Sequence, residues 1–470
     1  MKKILFLSFF LIGLYNATAI GLYNATAQNY YMASPEGFGA AATGGGTPTV
    51  SNTVTVDTYA KLKTALTSTA TANAVILVSG TIACDYTSVL LTNKTIVGLP
   101  GARLVNTQLK TNVSGSTDPS GILYIKPGSN NVIIRNLIFE GPGAYDVDGQ
   151  DNLTNEGTNI WVDHCEFQDG MDGNFDNKGK ADNVTISWCK FTYLKPAISG
   201  GFGGTNDHRF SDLIGSSSSD KPADGHYSIT FKNCYWAEGC VERMPRARNA
   251  ELHILNCYYN TGVGKLAIGV GGGISGSTCY VENTDFAKVG TSATPSAATI
   301  FKNYTDDGGT VGLTFDGSVK GTSATAIGSY TGVVVAAKPT YSYTVLPVAN
   351  VAAYVSNASC GAGATLQVSS TGVISTNCAN LGVKDQTLNM GNLYPTAVDA
   401  ILNIDLSDSI SGDAVVNIFS ISGNKVLSYS KNNVSPSEKL SVNVANLSKG
   451  IYLCNLKVGE VSNTWKFIKK

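Results

Sequence analysis

The chain has little charge and no long apolar run beyond its N-terminus, and each scarcity excludes a class of protein. Only 14% of its 470 residues are charged, and 33 Lys and Arg nearly balance 34 Asp and Glu. No global field therefore draws the chain to nucleic acid or anionic lipid, so an acidic partner must be bound by a local patch. No stretch after the N-terminal segment is long and apolar enough to span a bilayer, so we expect no membrane span.

The residues that are abundant favour β structure. The chain has 51 Gly and 22 Tyr but only 5 Met, with many Asn, Thr and Ser. This composition is typical of strands joined by turns rather than of helical bundles. The length is sufficient for a large core and for two or three domains.

The N-terminus has the pattern of a secretory signal peptide. Lys2 and Lys3 precede an apolar run over residues 4–14, and small residues follow up to Ala27. A basic start, an apolar middle and an A-x-A end are typical of such peptides. The octapeptide IGLYNATA occurs twice in tandem, which allows two cleavage sites. We favour cleavage after Ala27, which makes residues 1–27 the signal peptide of an exported protein.

The middle of the chain contains a hidden repeat of nine-residue blocks. Each block has apolar residues at positions two and four, a polar or aromatic residue at six and an aromatic residue at nine. Block starts lie 28, 24, 45, 23 and 27 residues apart. A period near 25 with one alternating strand per repeat, and without convincing helices between, predicts an all-β fold, a right-handed parallel β-helix. The blocks are NVIIRNLIF (131–139), NIWVDHCEF (159–167), NVTISWCKF (183–191), SITFKNCYW (228–236), ELHILNCYY (251–259) and TCYVENTDF (278–286).

Two columns of the repeat carry structural predictions. Position six is Asn in four blocks, and these side chains are expected to form an inward amide ladder. Position seven is Cys in four blocks, where either buried apolar filler or disulfides between adjacent coils would fit. No CxxC or Cys/His pair has zinc spacing. Cys360 and Cys378, which flank a Gly/Ser/Thr-rich segment, are the favoured disulfide pair in an exported chain.

Five side chains near the block ends are expected to be structural. His164 occupies the ladder column, so we expect a hydrogen-bonded core residue rather than an acid–base catalyst, and Asp163 beside it is expected to hold a loop. Trp236, Tyr258 and Tyr259 are expected to pack in the core or cap coils rather than bind sugars.

Charged residues recur at matching offsets from the blocks. Asp151 and Arg243 lie eight residues before their blocks, and Asp176 lies seven before its own. In a solenoid, equal offsets from equivalent strands place residues on one face. We therefore expect these three side chains to line one groove, with Asp172 at its rim.

The composition of this groove suggests a site for an acidic ligand. Arg243, Arg246 and Arg248 form a dense positive cluster, and guanidinium groups bind carboxylates with a planar fork. Three aspartates on rigid coils supply hard oxygen ligands that suit Ca²⁺ better than Zn²⁺ or Cu²⁺. The alternative is a solvated run of surface ion pairs of little energetic value.

Several segments, in order, resemble family 1 of the polysaccharide lyases, the pectate lyases with a parallel β-helix. The resemblance covers about residues 36–365, and the order and spacing of the segments make it specific. The segments are EGFGAAATGG (36–45), KTIVGLPGARL (94–104), NIWVDHCEF, DGNFDNKGKADNVTIS (172–187), LIGSSSSD (213–220) and RMPRAR (243–248).

The resemblance implies roles for the acids. Asp151, Asp172 and Asp176 match the calcium-binding acids of the family, and Asp148 is a further candidate ligand. The implied cofactor is therefore Ca²⁺.

The resemblance also implies roles for the cations. Arg243 matches the arginine proposed to take the proton from C5 of galacturonate, and Arg248 matches the arginine that binds the substrate carboxylate. The family's substrate-binding lysine is less clear, because an insertion separates the expected position from the LIGS turn. Lys195 is favoured, with Arg209 as the alternative.

The implied function is that of a secreted, monomeric pectate lyase. It would cleave α-1,4-linked polygalacturonate by Ca²⁺-assisted β-elimination and release 4,5-unsaturated oligogalacturonides. A pectin lyase acting on methylated substrate without Ca²⁺ is disfavoured by the three aspartates. A polygalacturonase-type hydrolase needs a protonated carboxylic acid, whereas these acids lie among arginines. A non-catalytic surface adhesin is the third alternative.

The C-terminal part is expected to be a separate domain. Residues 28–365 form the predicted β-helix, and the Ser/Thr/Asn/Gly-rich residues 366–389 form a linker. Residues 390–470 alternate apolar and polar positions around a Ser-Gly-Asn turn, which predicts a small antiparallel β-sandwich. SGNKV, LSKGIYL and the basic terminus resemble the C-terminal sorting domain of the Bacteroidetes type IX secretion system. That resemblance implies the type IX machinery as a partner and a cell-surface or extracellular location; a carbohydrate-binding module is the alternative.

Overall fold

The computed structural model describes residues 30–68, 73–109, 119–145, 149–201, 206–376, 390–408, 410–421, 423–459 and 461–470. The predicted signal peptide at residues 1–27 lies outside them. The chain divides into two compact units, one over residues 28–379 and one that includes residues 380–470. Within the described ranges, no helix has both the length and the apolar character needed to cross a membrane.

The first unit is a coil of short strands that stack into three sheets, so the predicted parallel β-helix is confirmed. Each complete coil adds one strand to each sheet, and strands pair in parallel with the coils before and after. Sheet 1 contains Thr53–Val56, Ala74–Val78, Thr92–Gly98, Asn130–Arg135, Thr158–Asp163, Asp182–Ser187, Tyr227–Lys232, Ala250–Leu255, Ser277–Glu282 and Val311–Asp316. Sheet 2 contains Thr81–Ala83, Arg103–Val105, Ile138–Glu140, Glu166–Gln168, Lys190–Thr192, Tyr235–Trp236, Tyr258–Thr261, Asp285–Val289, Val319–Lys320 and an antiparallel last strand, Thr325–Ala326. Sheet 3 contains Thr87–Val89, Leu123–Ile125, Leu153–Asn155, Phe175–Asn177, Leu213–Ile214, Arg246–Arg248, Ile268–Gly271 and Phe301–Asn303.

The few helices of this unit are short. The helix Tyr59–Thr67 begins at Thr58, whose hydroxyl accepts a hydrogen bond from the Lys61 amide at 3.4 Å, as a helix N-cap does. Its apolar Leu62 and Leu66 are buried in the main core. The other helices are Ala297–Ile300, Val348–Val355 and the 3₁₀ turns Phe38–Ala41 and Thr305–Asp307.

The block pattern matches the core. The residues at positions two and four of all six blocks are buried in one apolar cluster. The aromatic residues at position nine form a continuous column in which neighbouring ring centroids are 4.4–5.4 Å apart, within the range for favourable stacking. Trp236, Tyr258 and Tyr259 are buried, as predicted. The column consists of Phe139, Phe167, Phe191, Trp236, Tyr259 and Phe286.

The cysteines of position seven are apolar filler rather than disulfides between coils. Cys165, Cys189, Cys234 and Cys257 are fully buried and free. Cys360 takes part in a disulfide. Its predicted partner, Cys378, lies outside the described residues.

The predicted amide ladder at position six is wrong. Asn256, which has an asparagine on the next coil, donates its side-chain N–H to the backbone carbonyls of Asn283 and Leu346 and not to the neighbouring side-chain amide. Asn136 has a φ of 57°, and its side-chain nitrogen likewise donates to the backbone carbonyls of Gly98 and Leu366. This position turns the chain between sheets 1 and 2, and Asn is favoured in that left-handed conformation. An amide-to-amide contact occurs in sheet 3 instead, where Asn155 Nδ2 donates to Asn177 Oδ1 at 2.9 Å.

The folded unit extends beyond the predicted boundary at residue 365. Leu366 and Val368 are buried against Val75 and Val97 of sheet 1. The strands Gln367–Val368 and Ile374–Ser375 then pair as a hairpin. Residues 366–376 therefore belong to the folded unit, because their apolar side chains cover a face of sheet 1 that the Ser/Thr-rich composition did not reveal.

The C-terminal unit contains two sheets around one core, consistent with the predicted antiparallel sandwich. Leu402, Ile404, Val416 and Leu456 are buried in that core. The smaller sheet contains Gly391–Tyr394, Ile401–Leu406 and Lys439–Asn443. The larger contains Ala397–Val398, Val461–Lys469, Gly450–Val458, Gly412–Ser420 and Lys425–Val434; the first two of these pair in parallel and the others pair antiparallel.

Candidate active site

The parallel register of sheet 3 brings residues from successive coils into one column. Thr154 pairs with Asp176, and the adjacent pair Asn177–Ile214 places Asp176 beside Leu213. The column then continues through one further residue per coil. Its members after Asp176 are Leu213, Arg246, Gly269 and Lys302.

Two of the predicted acids meet at a partly buried lysine, Lys178. Asp151 and Asp176 are each only 2% exposed, and Lys178 Nζ lies 3.0 Å from Oδ2 of both. Asp151 Oδ2 also accepts from the Thr154 hydroxyl at 2.7 Å, and Asp176 Oδ1 accepts from the Leu213 amide at 2.9 Å. The two carboxylates therefore have fixed positions on adjacent coils.

The pKa values of Asp151 and Lys178 are both raised in this cluster. Burial, together with the nearby carboxylate of Asp176, raises the pKa of Asp151 to about 7 although Lys178 opposes the shift. Burial acts to lower the pKa of Lys178, but its carboxylate neighbours outweigh burial and raise that pKa well above its usual value. The site thus holds a charged ammonium beside a carboxyl group, Asp151, that takes up a proton more readily than an ordinary aspartate.

Asp172 approaches the same cluster from the preceding turn. Its Oδ1 lies 2.9 Å from Nε2 of His208. Burial acts to raise the pKa of Asp172, but the hydrogen bond from His208 and the charges of His208 and Arg243 outweigh it and lower the pKa. Asp172 is therefore the acid that connects the carboxylates to the arginines.

The arginines line a cavity of about 230 Å³ next to the acids. Arg243 has a φ of 55°, and its guanidinium carbon lies 4.9 Å from the centre of the Phe210 ring. Among the described residues no carboxylate lies within ion-pair distance of Arg243, so its N–H groups are available to a ligand. The cavity is lined by Phe210, Leu213, Ser216, Glu242, Arg243, Arg246, Arg248, Leu266, Gly269 and Tyr304.

Arg246 and Arg248 are held by one carboxylate. Asp307 accepts from Arg246 Nη2 and from Arg248 Nε, the second at 2.9 Å. Arg248 Nη1 also donates to the carbonyl oxygen of Gly215 at 3.0 Å. Two of the three arginines are therefore held by a carboxylate, whereas Arg243 packs on the Phe210 ring and has no carboxylate partner among the described residues.

Neither candidate for the substrate-binding lysine lines this cavity. Lys195 Nζ donates to the carbonyl oxygen of Gly141 at 2.7 Å and lies 3.4 Å from Glu140 Oε1, beside sheet 2. Arg209 forms a two-pronged pair with Asp207, at 2.7 and 2.8 Å. The geometry does not choose between them, and both assignments stay predictions.

The carboxylate oxygens of the acid cluster are ligands of the kind that a hard cation prefers. The buried Oδ1 of Asp151 has no hydrogen-bond partner among the described residues. A Cβ atom at Gly173 would lie 2.8 Å from that oxygen and 3.0 Å from Asp176 Oδ1, so the glycine keeps the space between them open. The described His, Cys, Asp and Glu side chains do not form a ready set of three metal ligands, because Lys178 lies between the carboxylates. The predicted ligand Asp148 lies outside the described residues.

Sequence reasoning missed three charged neighbours of this site: Lys178, His208 and Asp307. Lys178 could have been found, since it lies two residues after Asp176 and therefore on the same face of the strand. His208 belongs to the insertion before the LIGS turn, and Asp307 follows the last strand of sheet 3. Neither is part of a repeating block, so no pattern in the sequence marks them.

His164 and Asp163 form a structural network, as predicted. Asp163 accepts from His164 Nδ1 at 2.8 Å, from Arg135 Nε at 2.9 Å and from the Ser187 hydroxyl at 2.6 Å. Arg135 in turn donates to the carbonyl oxygen of Met32. The network lies on sheet 1, away from the sheet 3 column, and holds the N-terminal segment.

Comparisons with known proteins agree with this architecture. Residues 12–365 match the family model described as pectate lyase, and residues 392–470 match the secretion system C-terminal sorting domain. A pectate trisaccharide-lyase of Thermotoga maritima is 35% identical over 218 residues, which is 44% of this chain and 50% of that protein. The chain thus spans about half the length of the curated relatives it matches.

Two solved structures share the fold. A variant of Bacillus subtilis pectate lyase superposes with a TM-score of 0.51 at 21% identity, covering 72% of this chain and 98% of that one. A pectate lyase bound to a hexasaccharide gives a TM-score of 0.51 at 22% identity, covering 73% and 99%. Because the pectate lyase model spans most of the chain, and the coil, the acids and the RMPRAR cluster lie within the matched region, the chain belongs to the pectate lyase family.

Proposed function

We propose that this protein cleaves polygalacturonate by Ca²⁺-assisted β-elimination and releases 4,5-unsaturated oligogalacturonides. The observation that carries the proposal is the meeting of Asp151, Asp172 and Asp176 beside an arginine cavity on one sheet. A polyanion with a carboxylate on every sugar is a ligand that such a site can bind at several points.

The acids are proposed to hold the cation. Asp151, Asp172 and Asp176 offer carboxylate oxygens, which are the ligands that Ca²⁺ prefers. When bound, Ca²⁺ would neutralise the substrate carboxylate and so make the neighbouring C5 proton more acidic. Lys178 now balances the charge of two of these acids, so its ammonium has to give up at least one contact when a divalent cation binds.

The arginines are proposed to bind and deprotonate the sugar. Arg248, fixed by Asp307, presents its remaining N–H groups to a uronate carboxylate. Arg243, which has no carboxylate partner in the described part of the chain, takes the proton from C5. The C5–H electron pair forms the C4–C5 double bond, the C4–O bond breaks, and the leaving oxygen takes a proton from solvent.

An arginine base demands alkaline conditions. Guanidinium groups are protonated up to about pH 12 in water, and only the neutral form can accept a proton. We therefore expect turnover to rise with pH through the alkaline range, until the fold or the calcium site fails.

Product analysis tests the proposal against its alternatives. Incubation with polygalacturonate and millimolar Ca²⁺ should give products that absorb in the ultraviolet, because elimination conjugates a new double bond with the carboxylate. New reducing ends without that absorbance would show hydrolysis, and activity confined to methylated pectin and insensitive to EDTA would show a pectin lyase. Binding of the polymer without any cleavage would show an adhesin.

We further propose that the protein is exported by the type IX route. The match of residues 392–470 to a secretion sorting domain supports this, together with the signal-peptide pattern at residues 1–27. Expression in a type IX-competent Bacteroidetes host should place the protein on the cell surface or in the medium, and deletion of residues 390–470 should retain it inside the cell.

A further inference from the structure

The cation row on sheet 3 continues one coil beyond the arginine cavity. Arg246 pairs with Gly269, and Gly269 pairs with Lys302 on the next strand. Adjacent strands lie about 4.8 Å apart, so the Lys302 backbone lies about 10 Å from that of Arg246. The direction is away from Asp176, which lies on the other side of Arg246 in the same column.

An aromatic ring joins the two cations. The centre of the Tyr304 ring lies 3.8 Å from the Arg246 guanidinium carbon and 4.3 Å from Lys302 Nζ. The ring lies over the strand between them, where a Cβ atom at Gly269 would be 2.7 Å from Tyr304 Cε2 and 3.1 Å from Arg246 Cδ. A glycine at that position is therefore what allows the ring and both cations to share this surface.

Lys302 differs from Arg246 and Arg248 in its carboxylate partners. Arg246 and Arg248 share Asp307, whereas no described carboxylate lies within ion-pair distance of Lys302, which is exposed. Arg243, Arg246, Arg248 and Lys302 give this surface four cations. The carboxylates near them include Asp307, Glu242 and Asp172. An exposed lysine usually has no role, but this one is positioned by a ring, is in register with the arginine cavity, and has no carboxylate within ion-pair distance in the described part of the chain.

We propose that Lys302, positioned by Tyr304, binds a carboxylate of the polyuronate chain at a further subsite, beyond the one bound by Arg248. This inference rests on the proposed function, since it names a further contact for the same substrate. It follows that longer, unesterified chains bind better than short ones, and that a methyl ester on the sugar at Lys302 removes the advantage.

The test compares Lys302→Gln with the wild type on oligogalacturonates of three and six sugars. Lys63→Gln is the matched control, because Lys63 is also an exposed lysine and lies on the helix Tyr59–Thr67, many coils away from the last strand of sheet 3. For the hexamer we expect KM to rise about 3- to 10-fold with kcat unchanged, as for loss of one charge-assisted contact at a wet site. For the trimer, and for the control variant, the change should be under about 2-fold.

Two outcomes would overturn the inference: an unchanged KM of Lys302→Gln for the hexamer, or an equal rise for both oligomers. Tyr304→Phe, which keeps the ring, should bind the hexamer as the wild type does, whereas Tyr304→Leu should bind it more weakly. Equal hexamer binding by the two variants would show that Tyr304 does not position Lys302. Calorimetric binding of hexagalacturonate to the full chain separates this inference from the proposed function. If the wild type makes no unsaturated product, the proposed function fails, but a length-dependent loss of binding in Lys302→Gln still supports the subsite.

Discussion

Replacing Lys178 with Met should leave two buried carboxylates without their shared counterion. Asp151 and Asp176 are each 2% exposed and 3.0 Å from the ammonium group. Removing one partner of a buried ion pair costs about 3–5 kcal/mol. The Lys178 side chain is 25% exposed, and Asp151 can take up a proton, so we expect a smaller loss, about 2–3 kcal/mol.

Thermal unfolding converts this loss into a measurable shift. A unit of about 350 residues unfolds with an entropy of about 0.7 kcal/mol/K, at about 2.1 cal/mol/K per residue, so the Tm should fall by about 3–4 °C. Lys180→Met is the matched control, because Lys180 is an exposed lysine two residues further on. Its Tm should stay within about 1 °C of the wild type.

The raised pKa of Asp151 determines how the stability loss of Lys178→Met depends on pH. Its pKa is raised to about 7 in the folded protein, and loss of the Lys178 charge raises it further. A carboxylate with a raised pKa destabilises the fold fully above that pKa, and the destabilisation is relieved gradually as pH falls from the raised pKa toward the ordinary value of 3.8. The loss of stability in Lys178→Met should therefore be larger at pH 8.5 than at pH 5.

Calcium should restore the thermal stability that Lys178→Met loses. A cation that binds only the folded site adds stability that grows with its concentration, and the variant no longer has a lysine competing for the carboxylates. Millimolar Ca²⁺ at pH 8.5 should thus raise the Tm of Lys178→Met more than that of the wild type. An equal calcium response of both proteins, or a deficit that is the same at pH 5 and pH 8.5, would refute the reasoning.

Two further variants test the arginine side of the site. Arg243→Lys should lower turnover on polygalacturonate by at least about 100-fold, because a positioned general base contributes that much, while hexagalacturonate binding is retained in calorimetry; unchanged turnover would rule out its role. Asp307→Asn should lower the free energy of unfolding by about 1–2 kcal/mol at pH 7, since two charge-assisted hydrogen bonds are lost. Burial acts to raise the pKa of Asp307, but Arg246 and Arg248 outweigh it and lower that pKa, so the stabilisation is present above its ordinary value of 3.8 and disappears as pH falls below it. Urea titrations at pH 7 and pH 3 check this, with the exposed neighbour Asp306→Asn as the unaffected control.

The fold could be predicted because its determinants are local and repeated. Alternating apolar residues in each block specify a strand with one buried face, and the period specifies the coil. The register of sheet 3 pairs Asp176 with Thr154, so Asp151 lies three residues ahead of that position and just before its strand. Near-equal offsets are therefore sufficient to bring the two acids together on neighbouring coils, but not to give their exact register.

The remaining features depend on contacts that no repeat encodes. The position-six asparagines were assigned to an inward ladder, yet Asn136 turns the backbone and bonds to carbonyl groups. His208 reaches Asp172 from an insertion of irregular sequence, and Asp307 reaches the arginines from a later coil. Such side chains are recruited by three-dimensional proximity, and only coordinates reveal them.

A crystal structure of Arg243→Lys grown with Ca²⁺ and hexagalacturonate would test most directly whether acids and arginines act on one ligand. The account predicts a cation about 2.3–2.6 Å from carboxylate oxygens of Asp151 and Asp176, with Lys178 moved aside and a uronate carboxylate between the cation and Arg248. A cation bound elsewhere, or a sugar chain lying on another sheet, would contradict it.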